Sequence, residues 1–355
     1  MPENDSFPKV TICIPVRNGE RTIRKTLDSL LTQDYPNCEI IVSDNCSDDD
    51  TAKIVSQYAS NGVKYFFNPV LEKYGESNWN YILSLAEGPF IALYHADDLY
   101  TPTMVRRQVE FLKINPKVSA VFVMSQFINE QDQPIRWGSM QLPKKLRGRD
   151  YFNYHEFLNA TLEYCAFTSV PTMMTRREVI NSVGNFHWQQ FKSASDIDLY
   201  LRMAKEWGPI GIINEQLHKY RISEQQGTAI INKNRTELPD YFYSIDAHLN
   251  NVKNLKYVKI RSLSLYALHR AHYQRLCAVT LLMQGKVIEA EILLKEVLYW
   301  RHFVTAYQRP RILFDLLIGL LLLISIHLGG GTYVGQKVDW AYKRKKMKDR
   351  KPIGK

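Results

Sequence analysis

Cysteine is scarce in this 355-residue chain and makes no pattern. The five residues Cys13, Cys38, Cys46, Cys165 and Cys277 include no C-x-x-C and no histidine pairing nearby. That argues against a disulfide framework or a zinc site, and for a reducing compartment. The N-terminal stretch MPENDSFPKV has neither a basic region nor an apolar core, so no signal peptide is expected. No G-x-G-x-x-G follows the first apolar run, which disfavours a dehydrogenase. The loop after that run, PVRNGERT, is not glycine-rich, as a sugar nucleotidyltransferase would want. Long apolar runs are missing until Ile312–Leu328, which is at or below the short end of the roughly 17–25 residues that a spanning helix needs.

What is present reads as globular: 45% hydrophobic and 23% charged residues. A net charge of +10 suggests an anionic partner, but much of it sits in the C-terminal tail. VTICIP, at Val10–Pro15, is a short β-branched run and predicts a buried strand. Ile23, Leu27, Leu30 and Leu31 then form a helical stripe. Strands at Glu39–Ser43, Val63–Phe67 and Pro89–Tyr94 alternate with helices near 50–58 and 78–86, the pattern of a parallel sheet with right-handed crossovers. A helix over 104–114, a strand over 119–124, a helix near 154–161, a strand-like SVPTMMT and a helix over 196–206 follow. Beyond residue 240 the pattern becomes long amphipathic helices to about residue 303, including an αα-hairpin across Gly285.

The chemistry concentrates where strands end. LYHADDLYTP places Asp97 and Asp98 side by side after an apolar run, with His95 beside them. Like charges so close need compensation. Two readings are open: turn and cap residues, or ligands for a divalent cation at the carboxyl edge of a sheet. Asp44 in VSDNCSDDDT and the pair Asp196 and Asp198 in SASDIDLYLR occupy comparable positions.

These blocks together resemble the inverting, GT-A type glycosyltransferases of the large family two. Pro15-Val16-Arg17-Asn18 matches the P-x-x-N turn of that family, and Gln33, Tyr35, Pro36, Asn37 and Glu39 match its Q-x-Y-P-N-x-E element. The likeness continues through YHADD and ASDIDLYLRMA to YRIS at Tyr220–Ser223, roughly residues 8 to 225. It implies a Rossmann-like, mainly parallel sheet flanked by helices. It also implies Mg²⁺ or Mn²⁺ as cofactor and a nucleotide-sugar donor, UDP-linked. Asp97 matches the last acid of D-x-D and is the expected metal ligand, while Asp98 is expected to cap a helix beginning near Thr101 or to orient its neighbours. His95 stands where the family has the first acid; with Ala96 it is expected at the nucleotide and is not read as a metal ligand. Asp44 matches the acid that recognises the base, with Pro15, Val16, Arg17 and Asn18 around base and ribose. Asp196 matches the base that deprotonates the acceptor, with Ser195 in place of the usual Glu, and Asp198 is a structural helper. Arg202, Tyr220 and Arg221 are candidates for the diphosphate, Arg221 foremost. Q-x-x-R-W, the element of processive synthases, is absent, which favours a single transfer.

The expected organisation is a GT-A catalytic domain over 1–235, a helical region over 236–305, and an apolar segment with a basic tail over 306–355. Basic residues flank the apolar segment on both sides, and it carries Asp315. This fits a re-entrant or interfacial element on anionic lipid better than a clean span; a buried core helix is the other reading. The expected acceptor is a glycan or a polyprenyl-linked or other lipid-linked glycan at the cytoplasmic face of the cell membrane. No nucleic-acid partner is expected, and the helices near 240–303 are left as either a homo-oligomer contact or an acceptor cradle. The alternative function is a catalytically silent, nucleotide-binding membrane scaffold of the same fold.

Overall fold

The computed structural model describes residues 7–71, 75–165, 167–223, 235–251, 255–298 and 310–349. Two compact units divide the chain: the first runs to Arg221, and the second takes 222–355 together with 135–137 and 159–165.

Strand β1 (Val10–Val16) is buried on both faces, as the unbroken apolar run requires of a parallel strand with helices on each side. Helix α1 (Ile23–Leu31) lays Ile23, Leu27 and Leu30 into the same core as Val10, Ile12 and Ile14. Those three anchors contribute on the order of 5–9 kcal/mol before chain entropy is subtracted. Leu31, expected in the stripe, is exposed, one residue round the helix from Leu30. Strands β2 (Cys38–Asp44), β3 (Lys64–Phe67) and β4 (Phe90–Leu93) follow, with α2 (Thr51–Ser56) and α3 (Glu76–Leu85) between them. Next come β5 (Leu99–Tyr100), α4 (Met104–Ile114), β6 (Ala120–Ile128), β7 (Pro134–Met140), β8 (Tyr151–Phe152) and α5 (Tyr154–Tyr164). The first unit closes with β9 (Met173–Arg176), α6 (Arg177–Val183), α7 (Trp188–Phe191), α8 (Ser195–Arg202) and β10 (Ile210–Arg221).

The sheet order is β3-β2-β1-β4-β9-β6-β10-β5, with β7 on β6 and β8 on β10. β3, β2, β1 and β4 are mutually parallel, and β6 runs parallel to β10. β9 sits antiparallel between β4 and β6, so the sheet is mixed rather than mainly parallel. The SVPTMMT stretch divides into a tight turn over Val170–Thr172 and β9. The expected 196–206 helix ends at Arg202 and passes into one π-type turn, Met203–Trp207. β10 was not expected at all. Exposed Asn214, Glu215 and Gln216 interrupt its alternation, and there the register against β6 slips twice.

In the second unit α9 (Asp240–Asn250) precedes the expected hairpin of α10 (Ile260–Met283) and α11 (Val287–Val297), which turns at Gly285 with φ +76. α12 (Pro310–His327) and α13 (Gly331–Asp349) pack on that hairpin: Leu282, Leu294 and Leu322 share one core, with Val334 and Val338 against it. The acid in the apolar segment is explained here. Asp315 bonds His272 Nδ1 at 2.7 Å and pairs with the buried Arg275 at 2.9 Å. Phe314, Leu317, Leu321 and Ile324, spaced three and four apart on the other face of α12, are exposed. No helix among the described residues is long and apolar enough to cross a membrane. The expected continuation of α11 beyond 298 and the last residues of the basic tail lie outside the described residues.

Candidate active site

β1 pairs with β2 on one side and β4 on the other, so the chain reverses its direction of growth across the sheet at β1. Crevices form outside the carboxyl ends of strands at such a point. Val16 pairs with Asp44, and Cys13 with Leu93, which puts the Pro15–Asn18 turn between Asp44 and the turn that follows β4. Asn18 takes φ +53 and is tied to the loop after β2: its N–H donates to Ser47 Oγ and its Oδ1 accepts from the Asp48 N–H. Gly19 must be glycine, because a Cβ there would lie 2.5 Å from Val16 Cγ2. Pro15 is partly covered, Val16 is buried, and Arg17 is exposed at the mouth of the crevice.

Asp44 is only 1% exposed. Its carboxylate accepts the Ser47 N–H at 2.9 Å and the Tyr65 hydroxyl at 3.0 Å, so it closes its own turn while two of its four lone-pair positions remain for a base. Among the acids after β2, Asp49 serves the turn: its Oδ1 accepts the Thr51 N–H at the start of α2.

The His95–Asp98 turn is held from several directions. The Thr26 hydroxyl of α1 lies 2.9 Å from Ala96 O and 2.8 Å from Asp98 O. Tyr100 accepts the His95 N–H at 2.7 Å and donates to His95 O at 3.1 Å, and its ring stacks on Tyr94. Donor atoms of His95, Asp97 and Asp98 all lie within 4.8 Å of one another, a spread that one divalent cation can bridge. His95 Nε2 is shut off from solvent and has no hydrogen-bond partner among the described residues. Burial lowers the His95 pKa and favours the neutral imidazole that a metal requires. These residues fit a cation.

Asp98 does not cap a helix. α4 starts at Met104 after Thr103 and has no side-chain cap, whereas Asp98 is fully buried. It accepts the Arg221 N–H at 2.8 Å, and its Oδ2 lies 3.0 Å from Nε2 of the equally buried His218. His218 Nδ1 in turn lies 2.8 Å from Ser125 Oγ. Burial, and then the Asp97 charge, pushes the Asp98 carboxyl well above its usual range, and burial takes His218 down to about 3. Asp98 thus ties the acidic turn to the end of β10.

Arg221 is also a brace in this structure, and its guanidinium is not presented to a diphosphate. It is 3% exposed and turned inward, donating from Nε to Asp97 O at 2.7 Å and from Nη1 to Asn129 O at 3.1 Å, with Asp132 paired to it. Asp132 is shared with Lys25 of α1. Burial works against its charge, but the bonds from Lys25 and Arg221 prevail and hold its carboxyl below the usual range. Tyr220 packs its ring against Phe127 and His218. Arg202 is likewise turned inward, binding Asp198, Val183 O and Asn185 O. Asp198 pairs with both Arg202 and His187, the structural role expected of it.

Asp196 opens α8. Its Oδ1 accepts the Ile197 N–H at 2.8 Å, and burial pushes its pKa up to about 6. The hydroxyls of Ser195 and Tyr200 beside it are buried without partners. Trp79 of α3 links this region to the acidic turn: its ring packs on His95 at 5.7 Å and on Phe186 at 5.0 Å. Next to it, Asn80, Phe186, His187, Trp188, Gln189 and Gln190 line a cavity of about 260 Å³.

Thr26, Trp79, Tyr100, Ser125 and His218 were missed from the sequence. Tyr100, so close to the acids, was a signal of a kind. The others come from elements distant in the chain, and no local pattern marks them.

Residues 11–184 match the family model described as glycosyl transferase family 2. Among related chains, a Rickettsia typhi protein named as an uncharacterized glycosyltransferase is 27% identical over 232 residues, covering 64% of this chain and 68% of that one. An Escherichia coli protein named UDP-Glc:alpha-D-GlcNAc-diphosphoundecaprenol beta-1,3-glucosyltransferase WfaP is 28% identical over 172 residues, covering 48% of this chain and 62% of that one. The chain spans 40%, 68%, 47% and 47% of the lengths of four such relatives. Among solved structures, Staphylococcus aureus TarS 1–349 in complex with UDP-GlcNAc superposes with a TM-score of 0.59 at 17% identity, covering 90% of this chain and 92% of that one, which bears on the fold alone. The matched stretch, just under half of the chain, carries β1, the crevice and the acidic turn: over residues 11–184 the chain is a glycosyl transferase family 2 domain.

Proposed function

We propose that this protein transfers one sugar from a UDP-linked donor to a hydroxyl of a lipid-linked glycan, with inversion. The observation that carries the reading is the switch-point crevice, with Asp44 on one side of the Pro15–Asn18 turn and His95–Asp98 on the other. The printed name of WfaP supports a UDP-sugar and a diphosphate-linked lipid acceptor. A divalent cation held by Asp97 and Asp98 would offset the charge that grows on the departing diphosphate. The chain's own groups do the rest. Asp44 takes a hydrogen bond from the base, and Arg17 offers its exposed guanidinium at the mouth. Asp196 takes the proton of the acceptor hydroxyl as that oxygen attacks the anomeric carbon from the face opposite the diphosphate, which inverts the centre. The exposed apolar stripe of α12, with Tyr333 and Trp340 exposed on α13 and Lys343–Lys346 in its sequence, supports docking on an anionic membrane surface, at the cytoplasmic face.

The test is calorimetric binding of a panel of nucleoside diphosphates with and without Mn²⁺, to wild type and to Asp97→Asn, followed by transfer from the matching UDP-sugars to a polyprenyl-diphosphate glycan. Metal-dependent binding of UDP that Asp97→Asn removes, with transfer and inverted product, supports the reading. Absence of nucleotide binding and of transfer would sink it.

A further inference from the structure

We infer that His95 is a direct metal ligand, so that the cation site is a mixed nitrogen and oxygen site selective for Mn²⁺ over Mg²⁺. The inference rests on the donor-site reading above and deepens it. Its basis is geometric. The donor atoms of His95, Asp97 and Asp98 fall within 4.8 Å of one another, and His95 Nε2 is closed to water with no hydrogen-bond partner among the described residues. Leaving such a nitrogen unsatisfied is costly, and a ligand at this point removes that cost.

The ring is also held where it is. Both backbone polar groups of His95 are bonded to one hydroxyl, that of Tyr100, which itself stacks on the buried Tyr94. Trp79 packs against the imidazole, and Phe186 packs against Trp79. Pre-organisation of this kind suits a ligand whose direction matters. Asp98 is fixed too, by the Arg221 N–H on its Oδ1. A single mobile donor at His95, reaching out to a passing ribose, would need none of this confinement.

The choice of element has a chemical consequence. Mg²⁺ demands oxygen donors and sheds water reluctantly, whereas imidazole suits later first-row ions, and affinity for nitrogen rises along that series. Two carboxylates and an imidazole therefore favour Mn²⁺, and Co²⁺ more so, relative to an all-oxygen site in the same crevice.

The experiment uses the full chain with Mn²⁺ as probe, with and without UDP, read by electron paramagnetic resonance. Electron spin-echo modulation should show a coordinated ¹⁴N, replaced by the ¹⁵N pattern in protein grown on ¹⁵N-histidine, a change that perturbs no folding. His95→Asp should still bind Mn²⁺ but lose the nitrogen coupling, which separates His95 from His218. Competition with Mg²⁺ should shift toward Mg²⁺ by at least about tenfold in that variant. Bound Mn²⁺ without nitrogen coupling in wild type overturns the inference, and leaves the donor-site reading standing if Asp97→Asn abolishes binding. No Mn²⁺ binding in either condition also overturns it; UDP affinity and sugar transfer measured in EDTA then judge the function separately.

Discussion

Replacing Asp196 with Asn should make the protein less active and more stable at once. The carboxylate opens α8 with its pKa pushed up to about 6 from 3.8 by burial, a shift of about two units. A folded-state value above the unfolded one means that the native state binds the proton more tightly, so stability is greatest below about pH 4 and falls as the pH rises through 6. At pH 8 the ionised group thus costs the fold up to about 3 kcal/mol, at 1.36 kcal/mol per unit. Asn carries no charge, and its side-chain oxygen can still accept the Ile197 N–H that Asp196 Oδ1 holds at 2.8 Å. Urea denaturation at pH 8 should therefore show Asp196→Asn more stable by about 1–3 kcal/mol, with the gap closing as the pH falls toward 4. Over the same range kcat/KM of wild type should drop tenfold per pH unit below about 6, because a protonated carboxyl cannot accept the acceptor's proton. The variant should lose about 10²–10⁴ in rate. An Asn variant that keeps its rate, or that is destabilised at pH 8, would refute the assignment of Asp196 as the base.

Arg221→Met should weaken Mn²⁺ and UDP binding while leaving Asp97 in place, since the guanidinium braces Asp97 O and the 129–132 turn; calorimetry on the folded variant checks it. Thr26→Val removes the hydroxyl shared by Ala96 O and Asp98 O and should cost about 1–3 kcal/mol in urea midpoint terms. Asp315→Ala leaves the buried Arg275 without that partner and should lower stability by a few kcal/mol, of the order seen when one side of a buried pair is lost. Phe314→Glu with Leu321→Glu should abolish sedimentation with phosphatidylglycerol vesicles yet leave the melting temperature nearly unchanged, because both side chains are exposed.

How much of this was legible in the sequence depended on whether the information was local. The strands β1 and β2, with helix α1, follow from apolar periodicity, and the acidic turns from their place after apolar runs. β10 was lost because Asn214, Glu215 and Gln216 break its pattern at a bulge whose meaning appears only against β6. Arg221 was expected to face a diphosphate because the resemblance places it in the YR block of the family. Its true surroundings, Asp97 O and Asp132, lie about 90–125 positions away in the chain, where periodicity carries no message. Of the two roles expected of Asp98, the cap fails for the same reason. A Pro-containing segment three residues on suggested a cap, but the partner that claims its carboxylate is the N–H of Arg221.

The pairing of β10 with β5, His218 against Tyr100 and Lys219 against Leu99, bears on biosynthesis. On the ribosome, β1 to β4 can assemble once about the first hundred residues have emerged, because their pairings with one another all fall within residues 10–93. The acidic turn cannot be completed at that moment. Its supports, His218 and the Arg221 N–H, are made more than a hundred residues later, so the two adjacent carboxylates spend that interval as an unfinished, water-exposed loop. A nascent chain stalled before Arg221 would carry every acid of the site and none of the order that β10 confers on it. Competence of the catalytic half thus arrives as one late event in synthesis, when the strand that closes the sheet is laid down.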